Sequence, residues 1–202
     1  MYVLRSSPPS PFGRKVKIAA YELGLMDRIT IEVADTNNPS DSLRSQNPLG
    51  KIPVLVGEDG FALYDSRVIV EYLDHLAGGG KILPAEPKAR FAALRLQALA
   101  DGLMDAALLQ VYENRMRTEN ERSKTWVDHQ AGKVARVLAM LEAAPPALPE
   151  QLTVGEIALA CAFGYLDLRF AGAWRAEHPK LVTWLDAFAA RVPSFEKTKV
   201  VP

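Results

Sequence analysis

The stretch Asn47-Pro48-Leu49-Gly50-Lys51-Ile52-Pro53-Val54-Leu55 (NPLGKIPVL) decides how this chain is read, because a polar turn passes directly into an apolar run that contains a proline. Proline cannot donate to a sheet ladder, so Pro53 belongs at the first residue of a strand or on a sheet edge. The strand that follows, Ile52 to Val56, meets the tight turn Glu58-Asp59-Gly60 and then Phe61-Ala62-Leu63, the pattern of a hairpin. Upstream, Tyr2 to Arg5 reads as a strand and Arg28 to Val33 alternates as a half-buried one. Between them Phe12, Val16, Ala19, Ala20 and Leu23 repeat at helical spacing, leaving Arg14, Lys15 and Lys17 for the solvent side. Ser10 suits the N-cap of that helix, Pro11 its first position and Gly24 the residue past its end. Strand, helix, strand favours a parallel pair. Downstream, Asp65 opens a helix with the buried stripe Ile69, Tyr72, Leu73 and Leu76, which Gly78-Gly79-Gly80 ends.

Residues 1–77 therefore read as β-α-β, a polar connection over 35–49, then β-β-α: a small mixed sheet with helices on it. Residues 78–88, with three glycines and two prolines, read as a linker. From Ala89 onward only helical periodicity remains: one long helix to about Arg117, a second from Glu121 to Glu142, and a last amphipathic one over Pro179 to Arg191. Thr153-Val154-Gly155-Glu156 has the spacing of a capping box, with Leu152 and Ile157 placed as its hydrophobic staple. The helix it starts is apolar nearly all round to Leu166, which marks it as the buried centre of an all-helical domain over 89–202. The fold class is α/β plus all-α.

Of the 202 residues 49% are apolar and 24% charged, enough for a real core, and 24 basic residues balance 24 acidic ones. Zero net charge argues against a nucleic-acid partner and does little to oppose self-association. The single Cys161 excludes an intrachain disulfide, and His75, His129 and His178 lie far apart, so no metal is expected. The longest apolar run, Ile157 to Leu166, is half the roughly 20 residues a membrane span needs. Met1 leads straight into Tyr2-Val3-Leu4 without a basic segment followed by a long apolar one, so the expectation is a cytoplasmic protein without a signal peptide or membrane partner.

Three local signals carry a resemblance that covers essentially the whole chain. Residues 47–55 match the pattern N-P-x-G-x-[IV]-P-x-L, Ser10-Pro11-Phe12 stands at the start of the first helix, and Tyr64-Asp65-Ser66 places an acid and a serine at the start of the helix after the fourth strand. Together they resemble the cytosolic glutathione S-transferases, in detail a bacterial branch similar to the omega, zeta and theta classes with serine in the active-site loop. The resemblance implies a thioredoxin-like first domain, a homodimer, glutathione as co-substrate and an electrophilic small molecule as the second. It implies a cis Ile52–Pro53 bond that leaves the Ile52 backbone to pair with the cysteinyl backbone of glutathione, in the manner of strand addition. It further implies that Asp65 takes the γ-glutamyl ammonium, Ser66 and its helix start the γ-glutamyl carboxylate, and Lys51 the glycine carboxylate, with Phe12 beside the ligand. Asp101 resembles an acid that reaches glutathione from the other subunit, although Asp101 and Asp105 could equally form a solvated face. Leu108, Tyr112 and Tyr165 are candidates for the electrophile pocket, with buried core as the plainer role for each.

The sulfur of such a glutathione falls near Ser10. A free thiol has a pKa near about 8.5, and lowering it by two units takes roughly 2.7 kcal/mol. A helix start supplies about 0.3–1 kcal/mol, up to about 2 when partly buried. A serine hydroxyl donating to the anion adds about 1.5–3 kcal/mol. Ser10 would hold the thiolate without being a nucleophile, although helix capping competes for the same hydroxyl and Ser6 or Ser7 could donate instead. Without cysteine in the loop, and with Cys161 placed mid-helix, thiol–disulfide exchange is disfavoured. The rival readings are a glutathione-binding scaffold without turnover and an isomerase or lyase that returns glutathione unconsumed.

Overall fold

The computed structural model describes residues 1–200. Strand β1 (Tyr2–Ser6), helix α1 (Pro11–Glu22) and strand β2 (Ile29–Val33) are followed by the short helix α2 (Leu43–Gln46). Strands β3 (Val54–Val56) and β4 (Ala62–Leu63) then lead into helix α3 (Ser66–Leu76). The four strands lie in the order β2-β1-β3-β4, with β1 and β2 parallel and the other two pairings antiparallel. This is a thioredoxin-like sheet, in the β-α-β, β-β-α order read from the sequence. The second part is all helical: α4 (Pro87–Met116), α5 (Lys124–Ala143), α6 (Val154–Phe170), α7 (Pro179–Arg191) and α8 (Pro193–Lys197). None of the described helices is long and apolar enough to cross a membrane.

Local chemistry explains where elements start. Thr153 and Glu156 close the capping box of α6, the Thr153 amide donating to Glu156 Oε2 at 2.8 Å. Helix α4 begins two residues earlier than its periodicity suggests, because Glu86 accepts from the Lys88 and Ala89 amides (2.9 and 2.7 Å) and Pro87 fills the first helical position. The segment after α3 is tied down by the buried Asp74, whose carboxylate accepts from the amides of Gly80, Lys81 and Ile82. Helix α2 lies inside what reads as a polar connection, where Asp41 accepts from the Leu43 amide at 2.7 Å and from Arg5 at 2.8 Å.

The cationic face of α1 corrects the sequence reading. Arg14 and Lys15 do not face solvent; they are 8% and 0% exposed. Helix α1 packs between α3 and α6, with α8 against its end, so the side that carries Arg14 and Lys15 is covered, whereas Lys17 is half-buried and Tyr21 is exposed. Each cation has hydrogen-bond partners in the interior. Lys15 Nζ donates to both oxygens of Asp101 at 2.7 and 2.9 Å. Arg14 donates to the Phe195 carbonyl at 2.6 Å and to Thr198 Oγ1 at 3.2 Å, with its guanidinium 4.0 Å from the Phe195 ring centroid. Gly13 permits the close approach of α1 to β1, since a Cβ there would lie 2.0 Å from Ser6 Oγ. Cys161 is fully buried in α6, and burial pushes its thiol up to about 11, far from the range of a reactive thiolate.

Candidate functional site

A cleft of about 680 Å³ runs between the two halves of the molecule. The first half contributes Ser10 and Phe12 at the start of α1, Lys51, Ile52 and Pro53 before β3, and Asp65 and Ser66 at the start of α3. Helices α4 and α6 supply the opposite wall with Asp101, Leu108, Tyr112 and Tyr165. Residues far apart in sequence and singled out on separate grounds thus share one cavity.

Ser10 is the N-cap of α1, and its Oγ accepts from the Gly13 amide at 3.1 Å. A hydroxyl has one proton to donate and two lone pairs to accept with. Capping therefore uses a lone pair and leaves the proton unspent, which corrects the expectation that capping and thiolate binding compete. The Arg14 amide is taken by the Ser10 carbonyl at 2.9 Å and Pro11 has no N–H, so among the described residues the Phe12 N–H is the unpartnered amide of this first turn. Ser6 is corrected as an alternative donor: it is 1% exposed, sits against Gly13 and does not line the cleft. Ser7 does line it.

The Ile52–Pro53 peptide is cis. Strand pairing starts at Val54, opposite Arg5, so Ile52 stands just outside the ladder. The turn leading there is clamped by buried Asn47, whose side chain accepts from the Leu49 amide at 3.0 Å and donates to the Lys51 carbonyl at 2.9 Å. Gly50 provides the positive φ of 61° that the turn requires. Asn47 belongs to the motif that decides the fold, but its clamping role shows only once the loop is folded.

Asp65 caps α3, accepting from the Arg67 amide at 2.9 Å. The Arg67 guanidinium also reaches it at 2.6 Å, and this hydrogen bonding holds the carboxyl below the usual carboxylate range. In the sequence the only signal of Arg67 is a cation two residues past an acidic cap. Asp101 requires a correction. It lines the cleft wall, but both its oxygens are held by Lys15 of its own chain, and it is only 6% exposed rather than part of a solvated acidic face. Burial pushes the Asp101 carboxyl up and the Lys15 ammonium down, and each opposes the other's shift by direct attraction. Asp105, one turn on, is exposed at the rim; partial desolvation pushes its carboxyl up against the pull of Lys51 and Arg67. Tyr165 is buried, which raises its phenol, yet it also lines the cleft, while Leu108 and Tyr112 are half-buried there. Both the core role and the pocket position therefore apply to Tyr165. Groups of three or more potential metal ligands are absent among the described residues.

Comparison with known proteins gives consistent results. Residues 9–76 match the family model described as glutathione S-transferase, N-terminal domain, and residues 124–187 the corresponding C-terminal domain. The chain is 34% identical over 200 residues to the uncharacterized GST-like protein YibF of Escherichia coli (strain K12), covering 97% of each chain. A crystal structure of a glutathione transferase family member from Pseudomonas fluorescens Pf-5 with bound glutathione superposes with a TM-score of 0.93, at 39% identity and 100% coverage of each chain. A glutathione S-transferase from Methylobacillus flagellatus KT with glutathione bound superposes with a TM-score of 0.88, at 36% identity and 100% coverage of each chain.

Proposed function

The chain belongs to the glutathione S-transferase superfamily, and on that premise we propose that it is a glutathione transferase in which the Ser10 hydroxyl stabilises the glutathione thiolate for attack on an electrophilic small molecule. The observation that carries the reading is the Ser10 side chain, fixed by the Gly13 amide with its own proton unspent at the cleft. In this reading glutathione lies along the first half of the cleft. Its cysteinyl backbone pairs with Ile52 beside Pro53, its γ-glutamyl end meets Asp65 and Ser66 at the start of α3, and Lys51 takes the glycine carboxylate, with Phe12 alongside. Asp101, its oxygens held by Lys15, is left out of direct contact, and the exposed Asp105 takes over as the second acid at the amine end. The serine loop supports reading the protein as a member of the omega-, zeta- and theta-like branch.

A homodimer is part of this proposal. Phe61, Val68 and Phe91 are 53%, 46% and 68% exposed, and α3 and α4 are linked by an Arg90–Glu71 pair at 2.5 Å. Exposed apolar side chains of this size suit a twofold contact. A cytoplasmic location completes the reading.

Calorimetry with glutathione followed by conjugation of an aromatic halide tests the proposal. Wild type should bind glutathione and consume it stoichiometrically with product, and Ser10→Ala should lower kcat/KM by about ten- to a hundredfold, the worth of one hydrogen bond to an anion. Binding without turnover would indicate a scaffold, recovery of unconsumed glutathione an isomerase or lyase, and turnover unaffected by the substitution would remove Ser10 from the mechanism.

A further inference from the structure

One stripe of α4 faces the cleft along much of its length. Asp101, Asp105, Leu108, Tyr112 and Arg115 all line it, spaced by four, three, four and three residues, the repeat that keeps side chains on one side of a helix. Read along the axis the stripe runs acid, acid, apolar, aromatic, base. Helix α6 adds Tyr165 and, one turn further, Arg169, whose guanidinium lies 5.7 Å from the Tyr165 ring centroid. The carboxylates that line the cleft, Asp65, Asp101 and Asp105, are all at its other end, where Asp65 pairs with Arg67, Asp101 pairs with Lys15, and Lys51 and Arg67 attract Asp105 without an ion pair. Arg115 lies ten residues beyond Asp105, about 15 Å along the helix. Arg115 and Arg169 form no ion pair among the described residues. Two guanidinium groups without a carboxylate partner, that of Arg169 beside the Tyr165 phenol, therefore close the aromatic end of a cavity whose acids lie at the other end.

We infer that the second subsite takes electrophiles bearing an acid group, an aromatic or apolar body carrying a carboxylate, with the body against Leu108, Tyr112 and Tyr165 and the carboxylate against Arg169 and Arg115. The inference rests on the glutathione reading above, which places the sulfur near Ser10, and deepens it by naming the acceptor class. Guanidinium is suited to this task because its planar fork matches a carboxylate and its face stacks on aromatic rings. With an aryl chloride acid, the thiolate sulfur forms a bond to the ring carbon and the carbon–chlorine bond breaks, chloride leaving with the bonding pair. The thiol proton has already gone to solvent, and the acceptor's carboxylate keeps its charge against the arginines throughout.

A matched pair of conjugates, S-benzylglutathione and S-(4-carboxybenzyl)glutathione, tests this by calorimetry without requiring turnover. In wild type the acid should bind roughly tenfold tighter than the neutral conjugate at low salt, and the ratio should shrink as ionic strength rises. The ratio should fall towards one in the double variant Arg115→Gln/Arg169→Gln and be partly retained in Arg169→Lys, which keeps a charge but not the fork. Conjugation of 4-chloro-3-nitrobenzoate against the corresponding neutral amide should follow the same ratio in kcat/KM. A wild-type ratio at or below one, or a ratio unmoved in the double variant, overturns the inference while leaving the glutathione reading intact. Failure of glutathione itself to bind overturns both.

Discussion

Two ion pairs flank the cleft with nearly the same geometry and opposite meaning. Lys15 and Asp101 meet at 2.7 Å with side chains 0% and 9% exposed, whereas Arg67 and Asp65 meet at 2.6 Å with side chains 63% and 50% exposed. The buried pair ties α1 to α4 and so links the two halves at the cleft wall. Neither of its members can be released without stranding the other in a low-dielectric interior. The exposed pair sits in water at the start of α3, where an incoming ammonium can share or replace Arg67 at little cost. Proximity to the cleft alone does not make a carboxylate available to a ligand; solvation decides it. That is why the proposed glutathione site takes in Asp65 and leaves Asp101 out of direct contact.

The largest expected effect breaks the buried side of this contrast. Lys15→Met should cost about 3–5 kcal/mol, the price of an orphaned buried charge, while Lys15→Met combined with Asp101→Leu should recover most of that loss. Urea unfolding of the single and double variants checks it, and a single-variant cost below about 1 kcal/mol would erase the distinction between the pairs. Next comes the packing that seats α1 between the pairs. Gly13→Ala would bring a Cβ to 2.0 Å from Ser6 Oγ, and overpacking of this kind costs about 1–3 kcal/mol. Adding Ser6→Ala removes that oxygen and should restore much of the stability, a coupling that a double-mutant cycle would read directly.

The smallest effect belongs to the exposed pair. Arg67→Gln should change stability by less than about 1 kcal/mol. Its signature is instead a titration. Arg67 depresses the folded-state Asp65 carboxyl below its ordinary value of 3.8, so the stabilisation is present above that value and is lost as pH falls through the lowered one. In Arg67→Gln the Asp65 titration followed by NMR should move up towards 3.8, and the acid-side loss of stability attributable to it should disappear. An Asp65 titration unmoved by the substitution would show that the helix start, not Arg67, sets its state.

The fold and the first half of the site were legible because their signals are local. A serine and an aspartate at two helix starts and a capping box before α6 each act through residues a few positions apart and form as read, while the strand read from Ile52 starts only at Val54, just past Pro53. What escaped was non-local. Lys15 falls on the polar side of α1 by periodicity alone, and only the packing of α6 against that side turns it into a buried charge whose partner stands 86 residues on. The burial of Asp101 is hidden from the sequence for the same reason. Helix α2 escaped because its start depends on Asp41, which also binds Arg5 across the fold. Within the site, whether capping consumed Ser10 turned on which hydrogen-bonding function the cap uses, and spacing carries no information about that.

The central claim is that Ser10 caps α1 with a lone pair and retains its proton for a thiolate. Titrating the ultraviolet absorbance of the glutathione thiolate bound to wild type and to Ser10→Ala tests it most directly. The free thiol ionises near about 8.5; bound to wild type it should ionise about one to two units lower, and in Ser10→Ala most of that depression should be lost. Equal thiol pKa values in the two proteins, with glutathione demonstrably bound to both, would contradict the account and transfer the role to the Phe12 N–H.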